Sequence, residues 1–509
     1  MFTTVDNISS VRASLVVALL STVLLLLWKT YYKFIQLGNR IPGIGVWNLA
    51  FGLMNQMPKD GPHVGLLGFL MNFVNSHEGE PCRIWLLNEL CVILTKPKDI
   101  EVVLGNVKIF KKSGHYAMMK RLMGQGLFTA DDFAVWRRHR KIITPTLHFN
   151  ILKDFVPIFY KQATKLANKT KDKEQVNIFS AVGLCTLDSI CNTAMGINIF
   201  AQDSDNNTFL QDFYSILKVW HTRMTNPWIM LDLMFNVSRY REIHDNAADR
   251  MKYFTNEILH LKRDKYGVNK SGVTVRSESR STAFLDMMLT CWSEHGLSDT
   301  ELKDEIITLI LAGQETTATV NSFALIMLAY HQNIQLKVQE ELDSIFEQWR
   351  ENDCPSFEDL QKMNYLEMVI KETLRLFPAL PIIGRALNED LQVNNVTSPA
   401  GSTVGVFLYG THRDPDLYPS PNDFNPDNFL PERQSKRSNY SFVPFGAGIR
   451  NCIGQKYAMV QMKTILSTLL RRYRVSPGSG SPPLDNLQLM ITSSLKPKHK
   501  INLSFTPRR

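Results

Sequence analysis

Phe445, Gly448, Arg450, Cys452 and Gly454 have the types and the spacing, F-x-x-G-x-R-x-C-x-G, to hold one thiolate against a haem iron. With average residue usage such a match arises by chance in about one chain of this length in ten thousand. A cysteine thiolate pushes electron density onto iron and favours O–O cleavage, but it needs hydrogen bonds to its sulfur and a dry surround. Gly448 and Gly454 allow positive φ or a close approach to a flat ligand, leaving N–H groups free to face the sulfur. Phe445 can exclude water, and Arg450 offers a forked cation suited to a carboxylate such as a haem propionate. Helical apolar spacing follows at Ala458, Met459, Met462, Ile465 and Leu466, so the thiolate would lie near a helix N-terminus, which stabilises negative charge. Taken alone, the stretch also reads as a Gly-rich turn around a buried structural cysteine.

Three further groups could do chemistry or support it. Glu301 to His331 is the longest helical pattern and is apolar nearly all round, so it predicts a buried central helix. Its middle, Ala312-Gly313-Gln314-Glu315-Thr316-Thr317, is too polar for that setting. Gly313 weakens the helix and Thr316 can bond back one turn, so a local widening is expected. Such a notch suits dioxygen, with Thr316 as hydrogen-bond donor and Glu315 passing protons in from solvent. A polar pair satisfied within the core is the alternative. In Trp136-Arg137-Arg138-His139-Arg140-Lys141, Trp136 and Arg140 share a helix face and could hold a second carboxylate of a flat cofactor. A basic solvated face is the alternative, and His139 and His148 read as ordinary polar residues. The spacing E-x-x-R occurs at Glu80–Arg83, Glu347–Arg350 and Glu372–Arg375. Only the last sits on a predicted helix, one that ends at Phe377-Pro378-Ala379-Leu380-Pro381 with Arg385 as a further cation, and its role is structural.

The elements that must position these groups are mainly helical. Arg83 to Leu86 and Cys91 to Thr95 predict paired strands, followed by a helix from Lys98 to Leu104. Residues 150–260 alternate helical patterns with polar turns, and Lys262 to Arg280 reads as an exposed loop. Leu487 to Leu495 and Lys500 to Phe505 predict a terminal strand pair whose turn reaches the cavity. Ala13 to Trp28 is an apolar run approaching a bilayer span, followed by Lys29, Lys33 and Arg40, which favours a membrane anchor with its basic flank in the cytosol. Arg40-Ile41-Pro42-Gly43-Ile44-Gly45 is a stiff exit from it. The chain is 44% hydrophobic and 21% charged, which excludes a disordered protein. Seven scattered cysteines lack the close pairs of a zinc site and predict reduced thiols. The net charge of +9 suits a nucleic acid, an anionic membrane or an acidic protein partner.

Taken in order, the apolar run, the Pro-containing hinge, W-x-x-x-R, A-G-x-E-T, E-x-x-R and the cysteine loop resemble a cytochrome P-450, a microsomal haem-thiolate monooxygenase, over nearly the whole chain. The runs Trp136 to Phe149 and Arg450 to Ala458 are similar to signatures of the animal family 4 clan, in an insect-like form. The resemblance implies a mainly α fold with small β-sheets (α+β), organised as an anchor at 1–33, a hinge at 34–50 and one large haem-containing domain at 51–509. It implies haem b with Cys452 as axial ligand, Trp136, Arg140, Arg385 and Arg450 on the propionates, Phe445 and Gly454 about the sulfur, and Thr316 with Glu315 managing oxygen and protons. Electrons would come from NADPH through NADPH-cytochrome P-450 reductase, with cytochrome b5 as a second donor. The reductase would dock on a basic face for which Lys456, Lys463, Arg471 and Arg472 are suited. The expected setting is the endoplasmic reticulum membrane with the catalytic domain cytosolic, an apolar small-molecule substrate and no nucleic acid.

Four residues, at three places, depart from the family pattern. Asn428 replaces an arginine that joins the E-x-x-R pair, so that contact should be lost or move to Arg433. Gly446 and Ile449 replace Ser and Pro and should be tolerated. Ala312 replaces a glutamate that esterifies the haem in many family 4 enzymes, so the haem should be held without a covalent bond. The expected activity is insertion of one oxygen atom into a fatty acid, hormone or xenobiotic. The alternatives are a haem-thiolate isomerase or dehydratase acting on peroxides, and a haem sensor without catalysis. The expected cavity walls are Met118 to Phe128, residues 200–235, Leu309 to Thr316, Leu380 to Ile383 and Ile491 to Leu495.

Overall fold

The computed structural model describes residues 18–25, 28–29, 31–32, 34–44, 57–86, 89–204, 208–266, 284–286, 288–289, 297–347 and 353–508. Residues 13–17, 26–27, 45–50 and 267–280, together with Cys291 and Arg350, lie outside them. Within the N-terminal apolar run, residues 18–25 are helical and project exposed Leu19, Leu24 and Leu25.

The helices that frame the site are α1 (Phe133–Ile143), α2 (Phe149–Thr170), α3 (Ile178–Met195), α4 (Thr208–Thr225), α5 (Arg239–Tyr266), α6 (Asp299–Tyr330), α7 (Asn364–Leu376) and α8 (Gln455–Arg472). Helix α6 starts at a capping box in which Ser298 and Glu301 satisfy each other's backbone N–H groups. It stays α-helical through Ala312 to Thr317, so the expected widening is absent. Thr316 and Thr317 bond back to the carbonyls of Ala312 and Gly313 at 2.7 and 2.6 Å without breaking it. Gly313 instead serves packing: a Cβ there would lie 2.7 Å from Ile190 Cδ1 of α3, so its absence lets the two helices close together.

The strands that frame the site and the C-terminal region are β1 (Cys82–Leu86), β2 (Glu89–Leu94), β3 (Ile383–Ala386), β4 (Thr403–Val406), β5 (Tyr473–Pro477), β6 (Leu489–Ile491), β7 (Leu495–Pro497) and β8 (Asn502–Pro507). One sheet has the order β1-β2-β4-β3, with β2 and β4 parallel and Cys91 opposite Thr403. The expected terminal strand pair is two pairs. β6 pairs with β7, while β8 pairs with β5 and with Val176–Asn177. The alternation in that region belongs to strands with different partners, a distinction that periodicity does not carry. Lys262 is also not in a loop; it lies in α5, buried, 2.8 Å from Asp286 Oδ1.

Glu372 and Arg375 on α7 lock the scaffold beneath α8. Both side chains are fully buried and joined by two hydrogen bonds of 2.7 and 2.8 Å. Arg375 also donates to the carbonyls of His412, Pro421 and Asp423. Arg433 takes no part. Asn428 fills the departed arginine's place, its amide donating to Glu372 Oε1 at 3.1 Å. Of the rival E-x-x-R spacings, Arg83 turns to backbone carbonyls near Ile41, while Glu80 receives Asn394.

Candidate haem site

The cysteine loop is built by backbone geometry. Gly446 and Gly448 both have φ of 68°, a region costly for other residues, and a Cβ on Gly448 would fall 1.8 Å from the Leu104 carbonyl. The Cys452 N–H donates to Phe445 O at 2.7 Å, folding the loop back on itself. Gly454 does not need positive φ; it is the N-cap of α8, and its N–H faces the Cys452 sulfur. Cys452 is accessible and lines a cavity. Burial pushes its thiol pKa up, and the Gly454 N–H, Arg140 and Lys112 pull against that rise.

Above the sulfur lies a largely apolar cavity walled by Trp136, Phe155, Ile190, Leu309, Ala312, Thr316, Val320, Leu380, Ile383 and Phe445. Leu127 and Phe128 at the end of the Met118–Phe128 stretch, Leu309 to Thr316 and Leu380 to Ile383 contribute to its wall as expected; among the described residues, none of 200–235 or of Ile491 to Leu495 does. Four cationic side chains also line it, Lys112, Arg140, Arg385 and Arg450, with no carboxylate among the lining residues. Arg140 donates 2.7 Å bonds to the backbone and side-chain oxygens of Asn451. Arg450 donates to the carbonyls of Phe110, Leu127 and Ala130 and lies over Phe110 and Trp136. Burial, then Arg385 and Arg140, bring its pKa down to about 9. Lys112, which no spacing marked out, has its Nζ 3.3 Å from the centre of the Phe128 ring, and burial with the charges of Arg450 and Arg385 holds its pKa well below the ordinary lysine value. A planar ligand carrying two carboxylates fits this set, because it would neutralise cations that nothing else in the cavity balances.

The family model for cytochrome P450 matches residues 42–505. The chain belongs to the cytochrome P450 family. Cytochrome P450 4c3 of Drosophila melanogaster is 33% identical over 84% of this chain and 82% of its own length. Cytochrome P450 4V2 of Mus musculus is 36% identical over 77% of this chain and 76% of its own length. Cytochrome P450 4g1 of Drosophila melanogaster is 31% identical over 100% of this chain and 96% of its own length. The expected fold class, the family 4 resemblance and the oxidoreductase class are thus borne out. This P450 is a monooxygenase that uses a haem-thiolate iron and electrons supplied by a reductase.

The two residues expected to handle oxygen and protons are split in space. Thr316 lines the cavity, whereas Glu315 points away from it, its Oε1 accepting from Ser494 Oγ at 2.7 Å and Lys496 Nζ at 2.9 Å. The turn between β6 and β7 therefore reaches Glu315 and not the cavity. Two other residues stand differently from expectation. Lys463 is buried, bonded to Glu367 and to Leu360 O, and so is no docking residue. His139 is fully buried between two carboxylates and is not an ordinary polar residue.

Proposed function

We propose that Cys452 ligates the haem iron and that the chain inserts one oxygen atom into an apolar small molecule of the fatty-acid, hormone or xenobiotic class. The observation that carries this is a thiol at the floor of an apolar cavity whose other charged groups are all cations. Trp136, Arg140, Arg385 and Arg450 hold the propionates, and Lys112 joins them. Phe445 shields the sulfur and the Gly454 N–H lowers its basicity. The Thr316 hydroxyl, which bonds back to Ala312 O in this structure, would have to turn into the cavity to donate to dioxygen there, and Glu315, held on the Lys496 side of α6, would have to swing toward it to supply protons. The apolar walls suit a lipid-like substrate and bury its surface from water.

NADPH-cytochrome P450 reductase supplies the electrons, and cytochrome b5 is a second donor. Arg137, Lys141 and Lys456 remain exposed and support docking of acidic partners. The protein sits on the endoplasmic reticulum membrane, anchored by residues 1–33 through a hinge at 34–50, with residues 51–509 forming the cytosolic catalytic domain. Exposed Leu24, Leu25 and Trp28 on the N-terminal helix support this, as do Trp228, Leu231, Leu233 and Val237 on the globular part. The reduced carbon monoxide complex should show the red-shifted Soret band of a thiolate-ligated haem, and Cys452→Ser should abolish it. Retention of that band in the variant would refute the ligand assignment.

A further inference from the structure

Both ring nitrogens of His139 face carboxylate oxygens of α6. Nδ1 lies 2.7 Å from Glu305 Oε1 and Nε2 lies 3.3 Å from Glu301 Oε1. The two acids differ in their access to water. Glu301, in the first turn of α6, has a side chain 20% exposed and pairs with Arg138 at the surface. Glu305, one turn further in, is 0% exposed, and its Oε2 has no hydrogen-bond partner. Three residues on, the Thr308 hydroxyl is likewise buried without a partner, and Thr308 lines the cavity. The same side of α6 then continues through Ala312 to Thr316. Titratable groups therefore run from the surface to the cavity edge, apart from the Glu315–Lys496 pair.

We propose that Glu301, His139 and Glu305 form a proton relay that delivers protons to the cavity at Thr308. In one transfer, a protonated Glu301 gives its proton to His139 Nε2 while Nδ1–H passes to Glu305 Oε1. One proton moves inward and no electron moves; the Nε2–H tautomer left behind is reset by rotation of the ring about its Cβ–Cγ bond with exchange of its remaining proton, not by back-transfer through the same two hydrogen bonds. Glu305 then carries the proton as a neutral acid, the form favoured by its surroundings, and presents it toward Thr308. Burial pushes the Glu305 pKa up against the pull of His139. Burial opposes charge on His139 as well, but the hydrogen bonds and charges of Glu305 and then Glu301 outweigh it and raise its pKa. The other charged groups facing the chain are Arg138 on α1, Asp304 on α6 and Lys252 on α5. The relay rests on the family's proton-consuming reaction and not on the identity of the substrate.

The rival role is a clamp joining α1 to α6. Glu305→Gln and His139→Gln keep size and hydrogen bonding but break the relay, so both holoproteins should retain the carbon monoxide Soret band of the wild type. Product formation should fall about tenfold, with a matching rise in peroxide released per NADPH. Independently of turnover, the wild type should show an infrared carbonyl band of a buried protonated carboxyl that shifts in D2O. That band should be missing in Glu305→Gln and should exchange at least about tenfold more slowly in His139→Gln. Wild-type coupling in both variants, or wild-type exchange of the carboxyl band in His139→Gln, would overturn the relay, as would absence of that band from the wild type. Loss of the Soret band in both would assign the pair to scaffolding and overturn it equally. Absence of the Soret band from the wild type itself would count instead against the haem-thiolate assignment.

Discussion

The two faces of the cavity are built on different principles. On the cysteine side, backbone and buried charge fix every group: Gly446 and Gly448 at φ of 68°, Cys452 N–H on Phe445 O, Arg375 on three carbonyls. On the α6 side the wall is apolar, and the polar groups that matter face elements far away in the chain, as Glu315 faces Ser494, 179 residues further along. A thiolate loop tolerates little displacement, because its sulfur must meet fixed N–H donors in a dry site. A substrate wall tolerates a great deal, because apolar contacts are not directional. The rigid face therefore fixes the thiol in one place, while the permissive face leaves room for changes of wall shape.

The sharpest way to break this comparison is to remove one acid from each face. Glu372→Ala leaves Arg375 buried and uncompensated, which should cost about 3–5 kcal/mol. Glu315→Ala leaves Lys496, whose side chain is 17% exposed, and should cost about 1 kcal/mol. Urea unfolding of the two holoproteins decides the matter, and equal losses would remove the distinction.

Acid should find the cysteine side first. His412 is fully buried, with Nε2 accepting from Val443 N–H, and burial, followed by the charges of Arg375 and Arg413, lowers its pKa to about 3. In the unfolded chain the same ring takes a proton below its ordinary value of 6.5. The unfolded state then binds more protons, so the stability is complete above pH 6.5 and is lost progressively toward pH 3. The loss attributable to this residue is at most about 3 kcal/mol by pH 4. His412→Gln should flatten the unfolding midpoint across that interval relative to the wild type. An unchanged slope would show that other groups carry the acid response.

The same division explains what the sequence made legible. The cysteine loop, α1, α6 and the correct E-x-x-R could be read because their constraints are local: glycine conformation, helical spacing, a cap, a proline after a helix. Lys112 escaped notice because a single lysine in a loop carries no spacing, and only the fold brings it beside Arg385 and Arg450. Lys463 looked like a surface cation until α8 turned it toward Glu367. His139 looked unremarkable beside four basic neighbours because its two acids lie on another helix, 162 and 166 residues away. Asn428 differs for another reason. Loss of a guanidinium predicts a contact that is lost or moves to Arg433, but a shorter amide still donates to the same carboxylate.

The smallest effect on stability should accompany a large change in how the haem is held. Ala312 opens into the cavity one turn before Thr316, and among the described residues no acidic side chain lines that cavity to esterify a haem. Acid-acetone treatment should extract the haem completely from the wild type. Ala312→Glu puts a carboxylate on the cavity face of α6, and after turnover a fraction of the haem should resist extraction, with unfolding free energy changed by less than about 1 kcal/mol. Haem that stays with the wild-type protein would mean that another side chain bonds it. Complete extraction from the variant would mean that the α6 face lies too far from the haem edge for a single glutamate to reach. The permissive face would then differ from that of covalent family 4 enzymes in its position as well as in one side chain.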